Sequence, residues 1–278
     1  MVRVLAVSDV VDEALWADVS PVRSAELIVG CGDLPFEYLG RLMNALDVPL
    51  VFVPGNHDPD VSGYRASRGG LWLRAGLPAR PPWPDGAVNA DGLIVDIAGL
   101  RIAGLGGCRR YSDGPNQYTD GQQRRRAARL AARARLHRLR NGPLPAAAAR
   151  PGRAAAGEPA RRPRHPLADV LLTHSPPRGV GDGPDRPHQG FASLGTLAAQ
   201  LSPALLAHGH TDPGPGGRAG QFLGSTLVFN VTGHHLLDIE PGGGPGRLAG
   251  ASASRPAAGS PGPVDRMGPG RPGVRHAG

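Results

Sequence analysis

The chain opens on short apolar runs separated by amphipathic stretches. Val2–Val7 is rich in β-branched residues and stops at Ser8-Asp9. Leu27–Gly30 stops at Cys31-Gly32-Asp33, and Pro49–Val53 at Pro54-Gly55-Asn56-His57-Asp58. Between these two runs, Phe36, Leu39, Leu42, Met43 and Leu46 recur at helical spacing. Apolar runs alternating with helices predict βαβ units and a largely parallel, buried sheet. Each predicted strand delivers polar residues at its C-terminal end, which is where open α/β sheets place their ligands.

Further along, Leu93–Ile97 and Arg101–Leu105 flank Ala98-Gly99 and predict a hairpin. Thr119 and Gln122 fit the capping box of a helix that Asn141-Gly142-Pro143 would end. Residues 143–166 are Ala/Pro/Arg-rich and read as disordered. The strand pattern resumes at Ala168–Thr173, which ends at His174. A helix near Ser193–Leu201 and a strand near Leu205–Ala207 follow, the latter ending at His208-Gly209-His210. Phe222–Val231 and Leu236–Ile239 read as closing antiparallel strands, and 241–278 as a disordered tail. The expected organisation is one domain over 1–240, interrupted by an arginine-rich insertion at about 121–166.

Composition changes this picture at three points. Gly 42 and Pro 30 are far above average usage, so part of the length is expected to lie outside packed structure. All 31 basic residues are arginine, which with the abundant Ala, Gly and Pro reads as genomic G+C bias. The net charge of +8 is uneven: residues 1–118 hold 10 Arg against 14 acids, the remainder 21 against 9. The first part is therefore not a basic nucleic-acid surface. The cationic stretch at 121–140 leaves nucleic-acid binding as a minor reading, weakened by the lack of aromatic residues to stack bases. Two cysteines, Cys31 and Cys108, are too few for a disulfide framework. With no leader-like segment and no apolar run of membrane-spanning length, the expectation is a soluble, cytoplasmic protein that does not engage membranes.

The candidate chemistry sits at the strand ends: Asp9, Asp33, Asn56-His57-Asp58, His174 and His210-Thr211-Asp212. One Asp at a strand end is an ordinary turn-former, and one His is more often a satisfied core residue than a ligand. Five such positions in succession are a different matter. Together they form a mixed oxygen and nitrogen donor set suited to Mn, Fe, Zn or Ni rather than Ca.

In order and spacing, Ser8-Asp9, Gly32-Asp33, Gly55-Asn56-His57-Asp58, Thr173-His174 and Gly209-His210 resemble the motifs of calcineurin-like metallophosphoesterases. The resemblance implies an α/β fold, a layered sandwich of two mixed β-sheets flanked by helices. It implies hydrolysis of phosphomonoesters or phosphodiesters, on a phosphorylated small-molecule or nucleotide substrate. It also implies two divalent or mixed-valence transition metals, with metal-bound hydroxide attacking phosphorus. Carried over by position, Asp33 bridges the two ions, and Asn56, His174 and His210 complete one site. His57 would protonate the leaving group, and Asp58 would hold its imidazole. Arg109 or Arg110, Asn116 and Arg178 are candidates for contacts to the substrate phosphate, against the plainer reading of polar loops.

Two departures affect the other metal site. Where the family has Asp-x-His, this chain has Asp9-Val10-Val11; where it has Gly-His-x-His, this chain has Gly209-His210-Thr211-Asp212. Three arrangements are open. Asp212 could replace the lost imidazole, with Asp12 contributing through water. A register slip could bring His208 in instead, since alternation puts His208, His210 and Asp212 on one side of an extended segment. Or the site is weak or empty, leaving a single metal and a catalytically weakened metal- or phosphate-binding regulatory protein.

Overall fold

The computed structural model describes residues 1–142, 166–212, 220–243 and, as backbone, 248–253. The opening βαβ pattern folds as its apolar periodicity requires. Strands β1 (Val2–Ser8), β2 (Leu27–Gly30) and β3 (Leu50–Phe52) lie parallel, with helices α1 (Glu13–Ala17) and α2 (Phe36–Leu46) between them. A small antiparallel sheet of β4 (Tyr64–Ala66), β5 (Trp72–Arg74) and β6 (Leu77–Pro78) precedes β7 (Val88–Asn89), which joins β3 in parallel.

The predicted hairpin is β8 (Ile94–Ile97) and β9 (Leu100–Leu105), turning through Ala98 and Gly99 at φ 49° and 77°. Two consecutive positive φ values give a turn whose twist matches the flanking strands. After the short pair β10 (Cys108–Arg109) and β11 (Gln117–Tyr118) comes α3 (Asp120–Asn141), opened by the Thr119–Gln122 capping box. The chain then runs through β12 (Val170–Thr173), α4 (Ala192–Leu201), β13 (Leu205–His208), β14 (Gly220–Leu223), β15 (Thr226–Asn230), β16 (Gly233–Ile239) and β17 (Leu248–Ala253).

Two six-stranded mixed sheets result, ordered β17-β16-β1-β2-β3-β7 and β14-β15-β13-β12-β9-β8. Alternating side chains of both, among them Val4, Val29, Val51, Ile102, Leu172 and Leu205, form the core between them. The outer face of the first sheet packs on α1 and α2 through residues such as Ile28, Phe52, Tyr38 and Leu42. The outer face of the second packs on α3 and α4 through Leu130, Ala131, Leu194 and Leu206. The fold is thus the expected layered α/β sandwich. Each large aliphatic side chain buried in these layers stabilises it by about 1.5–3 kcal/mol.

Three details differ from the sequence expectation. Helix α3 belongs to the sandwich rather than to an insertion. It buries Ala127, Leu130, Ala131 and Ala134, an alanine-rich face that a search for large apolar residues undervalues. Arg126 turns inward, paired with Asp91 at 2.6 Å and stacked 3.7 Å over Tyr118, while Arg125 and Arg129 remain exposed. The last strands do not close side by side: β15 runs parallel to β13 in the second sheet, whereas β16 crosses to pair antiparallel with β1 in the first. Finally, β17 adds an edge strand to β16 where a disordered tail was expected. The disordered segments expected at 143–166 and after 241 otherwise fall mostly outside the described residues. Among the described residues, no helix is long and apolar enough to cross a membrane.

Candidate metal centre

The parallel strands of both sheets end at one edge, where their polar C-terminal residues meet. Three of these, Asp9, Asp33 and His210, sit in the left-handed region at φ 61°, 57° and 66°. For residues other than glycine this conformation costs on the order of 1–3 kcal/mol and persists only where surrounding contacts impose it. The contacts are visible. The N–H of His57 donates to Asp33 Oδ1 at 2.8 Å, and the N–H of His210 donates to both Asp9 carboxylate oxygens, at 3.1 and 2.9 Å. Glycine is required opposite each carboxylate: a Cβ on Gly55 would stand 2.0 Å from Asp33 Oδ1, and one on Gly209 would stand 2.1 Å from Asp9 Oδ2.

Asp33, His174 and His210 each bring a ligating atom to a common point, all within 4.8 Å of one another. Asn56 joins them. Nε2 of His174 lies 3.0 Å from Asn56 Oδ1 and 3.2 Å from Asp33 Oδ2. The far side of the His174 ring is committed, since Nδ1 sits 2.7 Å from the Cys31 carbonyl and so carries the proton of the neutral ring. Nε2 then faces two oxygen acceptors with a lone pair of its own. Such a convergence is stable only around a proton or a cation. Neighbouring ligands on a transition-metal ion bonded at about 2.1 Å are separated by roughly 3 Å, which matches the spacing here. His210 is arranged in the same way, with Nε2 2.8 Å from the Pro187 carbonyl, leaving Nδ1 as its lone-pair nitrogen. Second-sphere carbonyls of this kind fix the tautomer of a ligating imidazole.

The electrostatics agree. Burial opposes protonation of His174, but Asp33 and then Asp9 outweigh it and lift the imidazole to about 9. Burial also works to raise Asp33, yet the His174 charge and its hydrogen bonds hold that carboxyl below the usual range. Burial, followed by the charge on His174, pushes His210 down to about 3, so its ring is a neutral donor. Burial raises Asp9. In the metal-free protein His174 carries a proton at the point where these residues could hold a metal ion instead.

The remaining expected residues are placed less simply. His57 is exposed at the turn beside Asp33. Asp58 Oδ2 accepts the backbone N–H groups of Gly55, at 2.7 Å, and Asp33, at 3.1 Å. It therefore holds two ligand turns together. Asn116 is buried at φ 54°, and its amide donates to the carbonyls of Gly55, Asp58 and Pro59, which makes it a clamp on the same turn rather than a phosphate contact. Arg109 spans Gln189, at 2.7 Å, and Asp120, at 2.9 Å. Arg178 lies in a cleft lined by residues of α3 and α4, not among the ligands.

The residues expected at the other metal site do not join this cluster. Asp212 is exposed, and Asp33, His174 and His210 form the one metal-type cluster found among the described residues. His208 is buried with Nδ1 2.9 Å from the Gly209 carbonyl, and it is not among the clustered groups that the register-slip arrangement would require. Val11 packs with the apolar layer beneath α1 and α2. Asp12 caps α1 and meets His234 Nδ1 at 2.8 Å, which removes it as a water-mediated ligand.

Two contributors escaped sequence reasoning. Tyr111 accepts the Asn56 amide N–H at 3.1 Å and so turns Oδ1 toward His174. The loop after Arg178 covers His210, with Pro187 bonded to its ring and the His188 ring 5.3 Å away. The density of Asp182, Asp185 and His188 just downstream of His174 was the signal available for that loop.

No protein-family model matches this chain, and no curated protein does. Among solved structures, TT1561 of Thermus thermophilus matches with a TM-score of 0.52 at 15% identity, over 87% of this chain and 98% of that one. That likeness concerns the fold alone. The Thermus thermophilus sulfate thiohydrolase SoxB, in complex with glycerol, matches with a TM-score of 0.37 at 14% identity, over 85% of this chain and 40% of that one.

Proposed function

We propose that this chain is a metal-dependent hydrolase of phosphomonoesters or phosphodiesters working with a single ion held by Asp33, Asn56, His174 and His210. One observation carries the reading: His174 Nε2, Asn56 Oδ1 and Asp33 Oδ2 converge at 3.0–3.2 Å while Nδ1 of the same ring is tied to a carbonyl. The donor set suits Mn, Fe, Zn or Ni. Such an ion supplies Lewis acidity toward a phosphoryl oxygen and a lowered pKa for water.

The chain's own residues supply the rest. His57 is exposed, with its backbone fixed by Asp33, and in this reading it gives a proton to the leaving oxygen. Asp58 and Asn116 hold the turn that carries it, while Tyr111 keeps the Asn56 carbonyl oxygen on the ion side. A phosphorylated small molecule or a nucleotide is the substrate class.

A second reading, a catalytically weakened metal- or phosphate-binding regulatory protein, is favoured by the absence of His208 from the clustered groups and by the packing of Val11 against the apolar layer. Elemental analysis of the purified protein, with turnover of p-nitrophenyl phosphate and bis-p-nitrophenyl phosphate in added Mn²⁺, separates the two. One ion per chain and turnover lost in His57→Ala support the hydrolase. One ion without turnover moves the protein to the second reading, and failure to bind any ion removes both.

A further inference from the structure

Helices α3 and α4 pack side by side on the second sheet, and between them lies an open cleft of about 390 Å³. Its floor is apolar, from Ala127 and Leu197, and its walls are polar, with Arg124, Arg178, Ser193 and Thr196. None of the metal-cluster residues lines it. This volume falls in the range of small-molecule sites, which combine an apolar body with a few convergent polar groups.

The charge of the cleft is one-sided. Its one carboxylate, Asp120, is neutralised by Arg109 Nη2 at 2.9 Å. Arg124 and Arg178 are exposed, and among the described residues no carboxylate pairs with either. One further feature favours an anion. Helix α4 begins in the cleft wall, and its N-cap, Phe191, offers no side-chain hydrogen bond to the first turn. A helix N-terminus and two arginines beside an apolar floor are complementary to an acid group carried on an apolar body.

We propose that the α3/α4 cleft is a binding site for an amphiphilic organic anion, a carboxylate, sulfonate or phosphate attached to an aromatic or alicyclic body. The acid group lies between Arg124, Arg178 and the start of α4, and the apolar body rests on Ala127 and Leu197. The site is separate from the metal centre and does not depend on the hydrolase reading. One link to that centre runs through Asp120, Arg109 and Gln189, the residue after His188.

The test is a fluorescence titration of the full-length, metal-loaded protein with 8-anilinonaphthalene-1-sulfonate, repeated after the metal has been removed with EDTA. Saturable binding of one probe per chain is expected, unaffected by metal removal. Arg124→Ala/Arg178→Ala removes the charge and Thr196→Trp fills the cleft without changing charge. Both alter exposed side chains, and each is expected to weaken the probe at least tenfold. Wild-type affinity in either variant, or loss of probe binding when the metal is removed, overturns the proposal.

Discussion

Asn116 offers the sharpest test of how the metal-bearing turn is held. Its amide nitrogen donates to the Gly55 carbonyl at 2.9 Å and the Asp58 carbonyl at 3.2 Å, with a longer third contact to Pro59 at 3.4 Å. The two shorter bonds fall within the ordinary range for N–H···O. Asn116→Asp keeps the shape, and an αL backbone that Asp tolerates, but turns an oxygen toward these carbonyls. Two buried carbonyls lose their donor, at about 1–3 kcal/mol each, and an uncompensated carboxylate is brought next to them. A loss of at least about 3 kcal/mol follows, equivalent to roughly 10 °C in melting temperature for a domain of this size. Since Gly55 and Asp58 flank Asn56 and His57, metal affinity should fall with it. The assay is thermal unfolding with and without excess Mn²⁺, alongside KM and kcat for p-nitrophenyl phosphate. If Asn116 instead contacted substrate phosphate, the variant would melt like the wild type and raise only KM. That outcome would refute the clamp.

Tyr111 and the buried imidazoles give two more tests. Tyr111→Phe removes the acceptor that orients the Asn56 amide, so metal affinity measured by chelator competition should fall about tenfold with little change in stability; unchanged affinity would mean that Tyr111 has no part in holding the ligand. The metal-free protein should be most stable near pH 6.5. His174 titrates at about 9 when folded, above its unfolded value, so the stability it contributes is present below 6.5 and is lost as pH rises through 9. His208 and His210 titrate at about 4 and 3, below their unfolded values, so each removes about 1.4 kcal/mol per pH unit as pH falls from 6.5 toward those values. Metal should abolish the alkaline limb by replacing the His174 proton, which denaturation at pH 6.5 and pH 9 with and without Mn²⁺ would reveal; an alkaline loss of stability that persists in the metal-loaded protein contradicts this assignment.

Much of the fold was legible because its elements are local. The β-branched runs of β1, β2 and β3, the spacing of Phe36 to Leu46 and the Thr119–Gln122 box each specify a structure within a few residues. What escaped depended on distant partners. Helix α3 read as part of an arginine-rich insertion because its buried face is alanine, and only the second sheet shows that face to be covered. The crossing of β16 to β1 is a pairing over more than 200 residues, invisible to any local pattern. The same limit applied to the site. The positions of Asp33, Asn56, His174 and His210 could be read from motif order, but an amide such as that of Asn116 looks the same in sequence whether it meets a phosphate or three backbone carbonyls.

Asp9 shows why one half of the site resisted a sequence reading. A carboxylate at the end of β1 suggests a ligand, and two missing imidazoles suggest that a ligand has been lost. In the structure the carboxylate has a second task. It accepts the His210 N–H through both oxygens, and Gly209 is bare beside it because any Cβ there would collide with Ser8 Oγ and Asp9 Oδ2. That contact holds His210 at φ 66° with its ring toward His174, 4.7 Å away between centroids. Asp9 can therefore be indispensable to the single ion site without touching a metal, because without it the left-handed backbone of His210 loses its restraint. A second ion would need further donors on that side. The nearest imidazole in sequence, His208, is buried against Gly181, and burial has pushed it down to about 4. Supplying that donor would mean rebuilding the end of β13 rather than substituting one residue, which is the physical reason for proposing one metal here rather than two.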